Sequence, residues 1–186
     1  YKHKQISEPI KPITFFLAPN IPQKWRPYIE AGILEWLPAF EATGFKNAIQ
    51  VKTVPVGSEN RYVNSINTSV IRWLNKEGIR GQNNNGGSNV SNIVDLRTGE
   101  ILKSDINIGS SLEYLMDSYF IRCSALDKRA QQYPFPDDLM GELIQSLVAH
   151  EAGHAFGIKD ANYGEYAYPF DKMRDQNWLE AMGYTP

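Results

Sequence analysis

The run from His150 to Asp160, His-Glu-Ala-Gly-His-Ala-Phe-Gly-Ile-Lys-Asp, constrains this chain more than any other segment. Two of its three histidines, His150 and His154, stand four residues apart, the spacing that puts side chains on one face of a helix. From there both ring nitrogens can meet one ion at about 2.0–2.1 Å. Glu151 lies roughly a quarter-turn round and can reach a water on that ion without being a ligand. Gly157 can take a positive φ, ending the helix and turning the chain back so that Asp160 closes the ligand set. Three protein ligands and one open position are the catalytic zinc arrangement, whereas structural zinc sites are closed by four. A chance pair of histidines leaves unexplained the glutamate between them and the glycine and oxygen donor that follow.

The residues before the motif read as its helix. Met140, Leu143, Ile144, Leu147 and Val148 form an apolar stripe running into His150, and Asp137 or Asp138 is the expected N-cap behind the break Tyr133-Pro134-Phe135-Pro136. The ion would then sit where the apolar face of the helix meets the domain, in a partly dry cleft that strengthens its field.

Elsewhere the periodicities predict strands at Pro12 to Ala18, Ala48 to Val54 and Ser69 to Leu74. A hairpin follows, Ile93 to Leu96 and Glu100 to Ile108 about Arg97-Thr98-Gly99. Its second strand alternates Ile101, Lys103, Asp105, Asn107 against Leu102, Ser104, Ile106, Ile108, so one face is expected to be wet. Amphipathic helices are expected from Pro22 to Phe40, with Trp25, Tyr28, Ile29, Ile33 and Trp36 turned to the core, and from Ser110 to Gln131, with Ser110 or Ser111 as N-cap and Leu126 on the apolar stripe. Between Gly78 and Asn92 the polar, glycine-rich run Gln82 to Asn89 reads as a mobile loop. The fold class is therefore α+β, a twisted mixed sheet of four to five strands packed on helices that include the His150–His154 helix.

Composition narrows the partners. A chain of 186 residues suits one domain, 1–186. Its net charge of −2 and lack of a basic cluster argue against nucleic acid. No run of 18 apolar residues exists to span a membrane, and Tyr1 to Gln5 is not a signal peptide. Cys123, the single cysteine, cannot form an intrachain disulfide and reads as a buried thiol.

The long motif resembles that of the metzincin zinc peptidases. A closer resemblance is to bacterial zinc-dependent metalloproteases whose catalytic domain is called Met-zincin, carried by Gln23 to Pro27, Ala39 to Ile49, Asp95 to Lys103, the motif itself, Ala167-Tyr168-Pro169 and Gly183 to Pro186. It implies a metzincin-like N-terminal subdomain and a secreted, periplasmic or cell-surface enzyme acting on peptides or proteins. It also implies a Met-turn following a segment like Gly183 to Pro186, so 1–186 is expected to be a catalytic-domain fragment whose partner is the remaining C-terminal part, and to show little proteolysis alone. Two departures stand out: Asp160 where the family usually has histidine, and no matching context for Met173, which reads as structural. By the same analogy the strand Glu100 to Ile108 forms the cleft rim and pairs with an extended peptide, or is an ordinary solvated edge.

The expected function is that of a zinc-dependent endopeptidase, with Zn2+ on His150, His154 and Asp160 and Glu151 as general base. A non-catalytic metal-binding domain would not need Glu151, and a zinc hydrolase of a non-peptide amide or ester would use the same residues. Glu180, on a helix expected from Gln176 to Met182, is the rival third ligand.

Overall fold

Five short β-branched and aromatic segments form a single sheet: β1 (Ile13–Leu17), β2 (Ile49–Thr53), β3 (Ser69–Leu74), β4 (Asn89–Val94) and β5 (Ile101–Gly109). The computed structural model describes residues 6–55, 57–74, 88–109, 112–160, 170–172 and 175–181. The strand order is β2-β1-β3-β5-β4, with β2, β1, β3 and β5 mutually parallel and β4 antiparallel to β5. The helices are α1 (Arg26–Leu34), α2 (Leu37–Ala42), α3 (Glu59–Val63), α4 (Glu113–Cys123), α5 (Asp137–Ala155) and α6 (Gln176–Ala181). The mixed α+β class and the five-stranded sheet are as the sequence led one to expect.

The core lies between the sheet and the pair α1 and α5. Phe15, Ile71, Ile106 and Ile108 from the strands meet Ile29 and Ile33 of α1 and Leu139, Ile144 and Val148 of α5, each at most 1% exposed. Each such side chain contributes about 1.5–3 kcal/mol by leaving water. The two helices approach so closely that a Cβ on Gly32 would lie 2.5 Å from the Gln145 carbonyl oxygen. Glycine is therefore fixed there by α5, which in turn is fixed against the sheet.

Several expectations are corrected. The helix from Pro22 to Phe40 is broken into a 3-10 turn, α1 and α2, because Pro38 stands in the first turn of α2 and cannot donate into a continuous helix. The helix from Ser110 to Gln131 ends at Cys123; a 3-10 turn at Lys128–Gln131 follows, its start capped by the Asp127 carboxylate, and Leu126 is 90% exposed rather than on the core stripe. Ser110 and Ser111 lie outside the described residues, as do Met173, residues 167–169 and 182–186, and the expected loop up to residue 87. Asn89 to Asn92, expected in that loop, begin β4. With Val90 the one apolar residue among these four, this part of the edge strand carries no apolar alternation by which to recognise it.

Nor is the second face of β5 wet. Lys103 and Asp105 are only 7% and 8% exposed. Asp105 accepts from Arg72 Nη1 at 2.7 Å and Val70 N at 2.8 Å and lies 3.3 Å from Lys103 Nζ, which donates to the Ser65 carbonyl at 3.0 Å. Charge-pairing lets an alternating strand be buried on both faces. Because β5 lies between β3 and β4, it offers no free edge to a peptide; the edge on that side of the sheet is β4.

Candidate metal centre

The site is built on the end of α5. Pro136 precedes its first turn, and Asp137 and Asp138 fall inside that turn, where they complement the positive helix end instead of capping it as expected. Asp137 accepts from Lys24 Nζ at 2.6 Å and Asp138 pairs with Arg129 at 3.3 Å. Nineteen residues later the helix stops at a Schellman turn: Ile158 N donates to the Gly153 carbonyl and Gly157 N to the His154 carbonyl, both at 3.0 Å. Gly157 has φ 92°, the left-handed value this turn requires and a side chain resists.

The turn brings the ligand candidates together. Nε2 of His150 and Nε2 of His154 are 3.1 Å apart, and Asp160 Oδ1 lies 3.5 Å from the first and 3.6 Å from the second. A tetrahedral ion with bonds near 2.0–2.1 Å has ligand-to-ligand edges of about 3.3–3.4 Å, so this triangle and its N, N, O donor set fit zinc. Among the described residues, His150, His154 and Asp160 are the group of His, Cys, Asp and Glu side chains able to hold one ion. Glu180 is not in that group; its Oε1 accepts from Gln176 Nε2 at 3.0 Å.

His154 is oriented from behind. Its Nδ1 lies 2.8 Å from the Ile158 carbonyl oxygen, an acceptor that fixes the proton on Nδ1 and leaves Nε2 with its lone pair free for a metal. The helix end is itself clamped by Phe156, whose ring meets Phe15, Trp36 and Phe40 edge-on at centroid distances of 6.0, 5.6 and 5.3 Å. Trp36 is held by its Nε1 donating to the Ala149 carbonyl at 2.8 Å.

Glu151 is 6% exposed, on the inner side of the same turn of helix. Burial raises its pKa, the neighbouring His150 and His154 pull it down and Asp160 pushes it up. A carboxyl kept out of water beside three candidate metal ligands suits proton transfer, because its basicity is set by the site rather than by solvent.

Glu151 and the three ligand candidates face a cleft of about 470 Å³ between the end of α5 and β4, where Asn89, Val90 and Asn92, with Ser88 just before the strand, make the opposite wall. Asn92 donates from Nδ2 to the His154 carbonyl at 3.1 Å, joining the two walls. Of the residues the sequence singles out, the structure brings His150, His154 and Asp160 together and places Glu151 and Gly157 on the same cleft. Sequence reasoning missed Asn92 and the Ile158 carbonyl: the first sat in an apparent loop, and backbone acceptors leave no residue-type signal. Phe156, inside the motif, carried the one available signal, a large apolar residue just before the turn glycine.

No described helix is long and apolar enough to cross a membrane. Residues 132–186, which include α5, the turn and Asp160, match the family model described as Met-zincin, and the match supports a zinc metallopeptidase type of function. No curated protein and no solved structure matches the chain.

Proposed function

We propose, from the premise that residues 132–186 belong to a metzincin-type Met-zincin domain, that this chain is a zinc-dependent endopeptidase. The observation that carries the reading is the triangle of His150 Nε2, His154 Nε2 and Asp160 Oδ1, with edges of 3.1, 3.5 and 3.6 Å, beside the buried carboxyl of Glu151. His150, His154 and Asp160 would hold the ion. When bound, it supplies a Lewis acid for the scissile carbonyl and brings the pKa of its water toward about 7.

Glu151 accepts the proton of the attacking water and returns it to the leaving amine, so that the base and later the acid are one carboxyl. The Ile158 carbonyl holds the His154 ring in the tautomer that can ligate. Edge strand β4 presents backbone donors and acceptors along the cleft, and an extended peptide adding to that edge runs past Glu151. A non-catalytic metal-binding domain has no use for a buried glutamate at this place, whereas hydrolysis of a non-peptide amide or ester uses the same groups without needing the edge of β4.

The test is Glu151→Gln in the full-length protein, loaded with zinc, against labelled casein. A loss of turnover of about 100-fold or more with zinc still bound supports the reading. Wild-type turnover by the zinc-loaded variant overturns it.

A further inference from the structure

The structure assigns Asn92 as a positioning residue, a tether that sets the height of edge strand β4 over the metal-binding end of α5. The assignment rests on the peptidase reading above for its functional consequence, and on geometry alone for the tether.

Asn92 stands on β4 opposite Ser104 of β5, and it is exposed, so its side chain is not there to fill a core. Both ends of its amide are nevertheless engaged. Nδ2 donates to the His154 carbonyl at 3.1 Å, and Oδ1 accepts from the hydroxyl of Ser104, a residue only 3% exposed. The Ser104 contact fixes which way the amide faces, since a hydroxyl that donates to Oδ1 leaves Nδ2 pointing at α5. Ser104 is itself held from the next strand, its backbone N donating to Ser69 Oγ at 2.9 Å. A chain of polar contacts thus runs from β3 through β5 and β4 to the backbone of His154, a ligand candidate.

The acceptor matters as much as the donor. Carbonyls in the last turn of a helix lack partners within it, and Asn92 supplies His154 with a second donor besides Gly157 N. What it bridges is the cleft itself: strand on one wall, metal-binding turn on the other. Sheet pairing alone fixes β4 to β5 but leaves an edge strand free to twist and lift, and β4 already has a register irregularity at Ile93/Val94. A peptide added to β4 has its carbonyl placed by that strand, while Glu151 and the ligands are placed by α5. Displacement of one wall by about 1 Å can cost about 100-fold in rate without weakening the pairing that binds the peptide.

Asn92→Asp keeps the shape and removes the donor, and Ser104→Ala removes the contact that orients the amide. The full-length, zinc-loaded proteins are compared in kcat and KM on a labelled casein peptide, in bound zinc, and in hydrogen exchange of the β4 amides that pair with β5. Glu151→Gln is run alongside. The expected result for Asn92→Asp is a kcat lowered 10- to 100-fold, a KM within about threefold of wild type, unchanged zinc content and faster exchange across 89–94. Ser104→Ala shifts the same readings in the same direction, and the double variant is no worse than Asn92→Asp.

Unchanged exchange in Asn92→Asp overturns the tether. Faster exchange with unchanged kcat, or a loss seen only in zinc content, overturns the positioning role. Full activity of Glu151→Gln instead overturns the peptidase reading, and the exchange data then decide the tether by themselves.

Discussion

The imidazole Nδ1 of His154 and the carbonyl oxygen of Ile158 are 2.8 Å apart, and this contact joins the chain-reversing turn to the chemistry of the site. The same turn that exposes the Ile158 carbonyl to the ring also carries Asp160 back to 3.5 and 3.6 Å from the two histidines. Helix termination and the placing of the candidate ligands are therefore one structural event, and it depends on Gly157.

Gly157→Ala is expected to weaken both. An alanine at φ 92° is strained, and its Cβ would meet Ile101 Cδ1 at 3.4 Å. The stability loss should exceed about 1 kcal/mol, read from the denaturant midpoint. Zinc affinity should fall about 10- to 100-fold in competition with a chelator, as for loss of a group that orients a ligand.

Asp160→Ala and Glu180→Ala separate the two candidates for third ligand. Asp160→Ala should lower zinc content measured after gel filtration to well below one per chain, and Glu180→Ala should leave it at the wild-type level. Glu180 is engaged by Gln176 and does not share the triangle of His150, His154 and Asp160.

The buried charges on β5 make a prediction about stability alone. Asp105→Ala removes the carboxylate shared by Arg72 and Lys103 in a place where Lys103 is 7% exposed. Loss of about 3–5 kcal/mol is expected in chemical denaturation, because removing one member breaks a buried ion-pair network. The site lies on the other side of the sheet, so variants that still fold should keep their zinc.

Much of this arrangement could be read from the residues, and what could not has physical causes. β1, β2 and β3 were marked by short apolar runs, and β3 was bounded correctly at Ser69 and Leu74. His150, Glu151, His154, Gly157 and Asp160 stand out in the sequence by residue types at a spacing that points to a metal site, and the structure brings His150, His154 and Asp160 together. Asn89 to Asn92 read as loop because Val90 is the one apolar residue among them, too little to show a strand's alternation. Lys103 and Asp105 misled because a paired charge inside a protein has the same letters as a solvated one. Pro38 breaks the expected Pro22 to Phe40 helix, while the apolar stripe continues across it into α2 and so hides the break.

Acid sensitivity should trace in part to Asp127. Its carboxyl accepts from the Arg129 guanidinium and from Arg129 N at 2.9 Å, and these bonds hold its pKa below the usual carboxylate range, the guanidinium contributing most. Since the folded value is the lower one, the stabilisation is fully present above the unfolded pKa and is lost as pH falls through the folded value. Between about pH 5 and about pH 2, wild type should lose more stability than Asp127→Asn, measured by urea denaturation at each pH. Parallel losses in the two proteins would count against the Asp127–Arg129 contact as the cause.

The most direct measurement is anomalous scattering at the zinc edge from crystals of the full-length protein grown with zinc. The expected result is one strong peak within bonding distance of His150 Nε2, His154 Nε2 and Asp160 Oδ1, with Glu151 beside it and not bonded to it. A peak held by any other set of residues, or none at this triangle under saturating zinc, would contradict the assignment of the site.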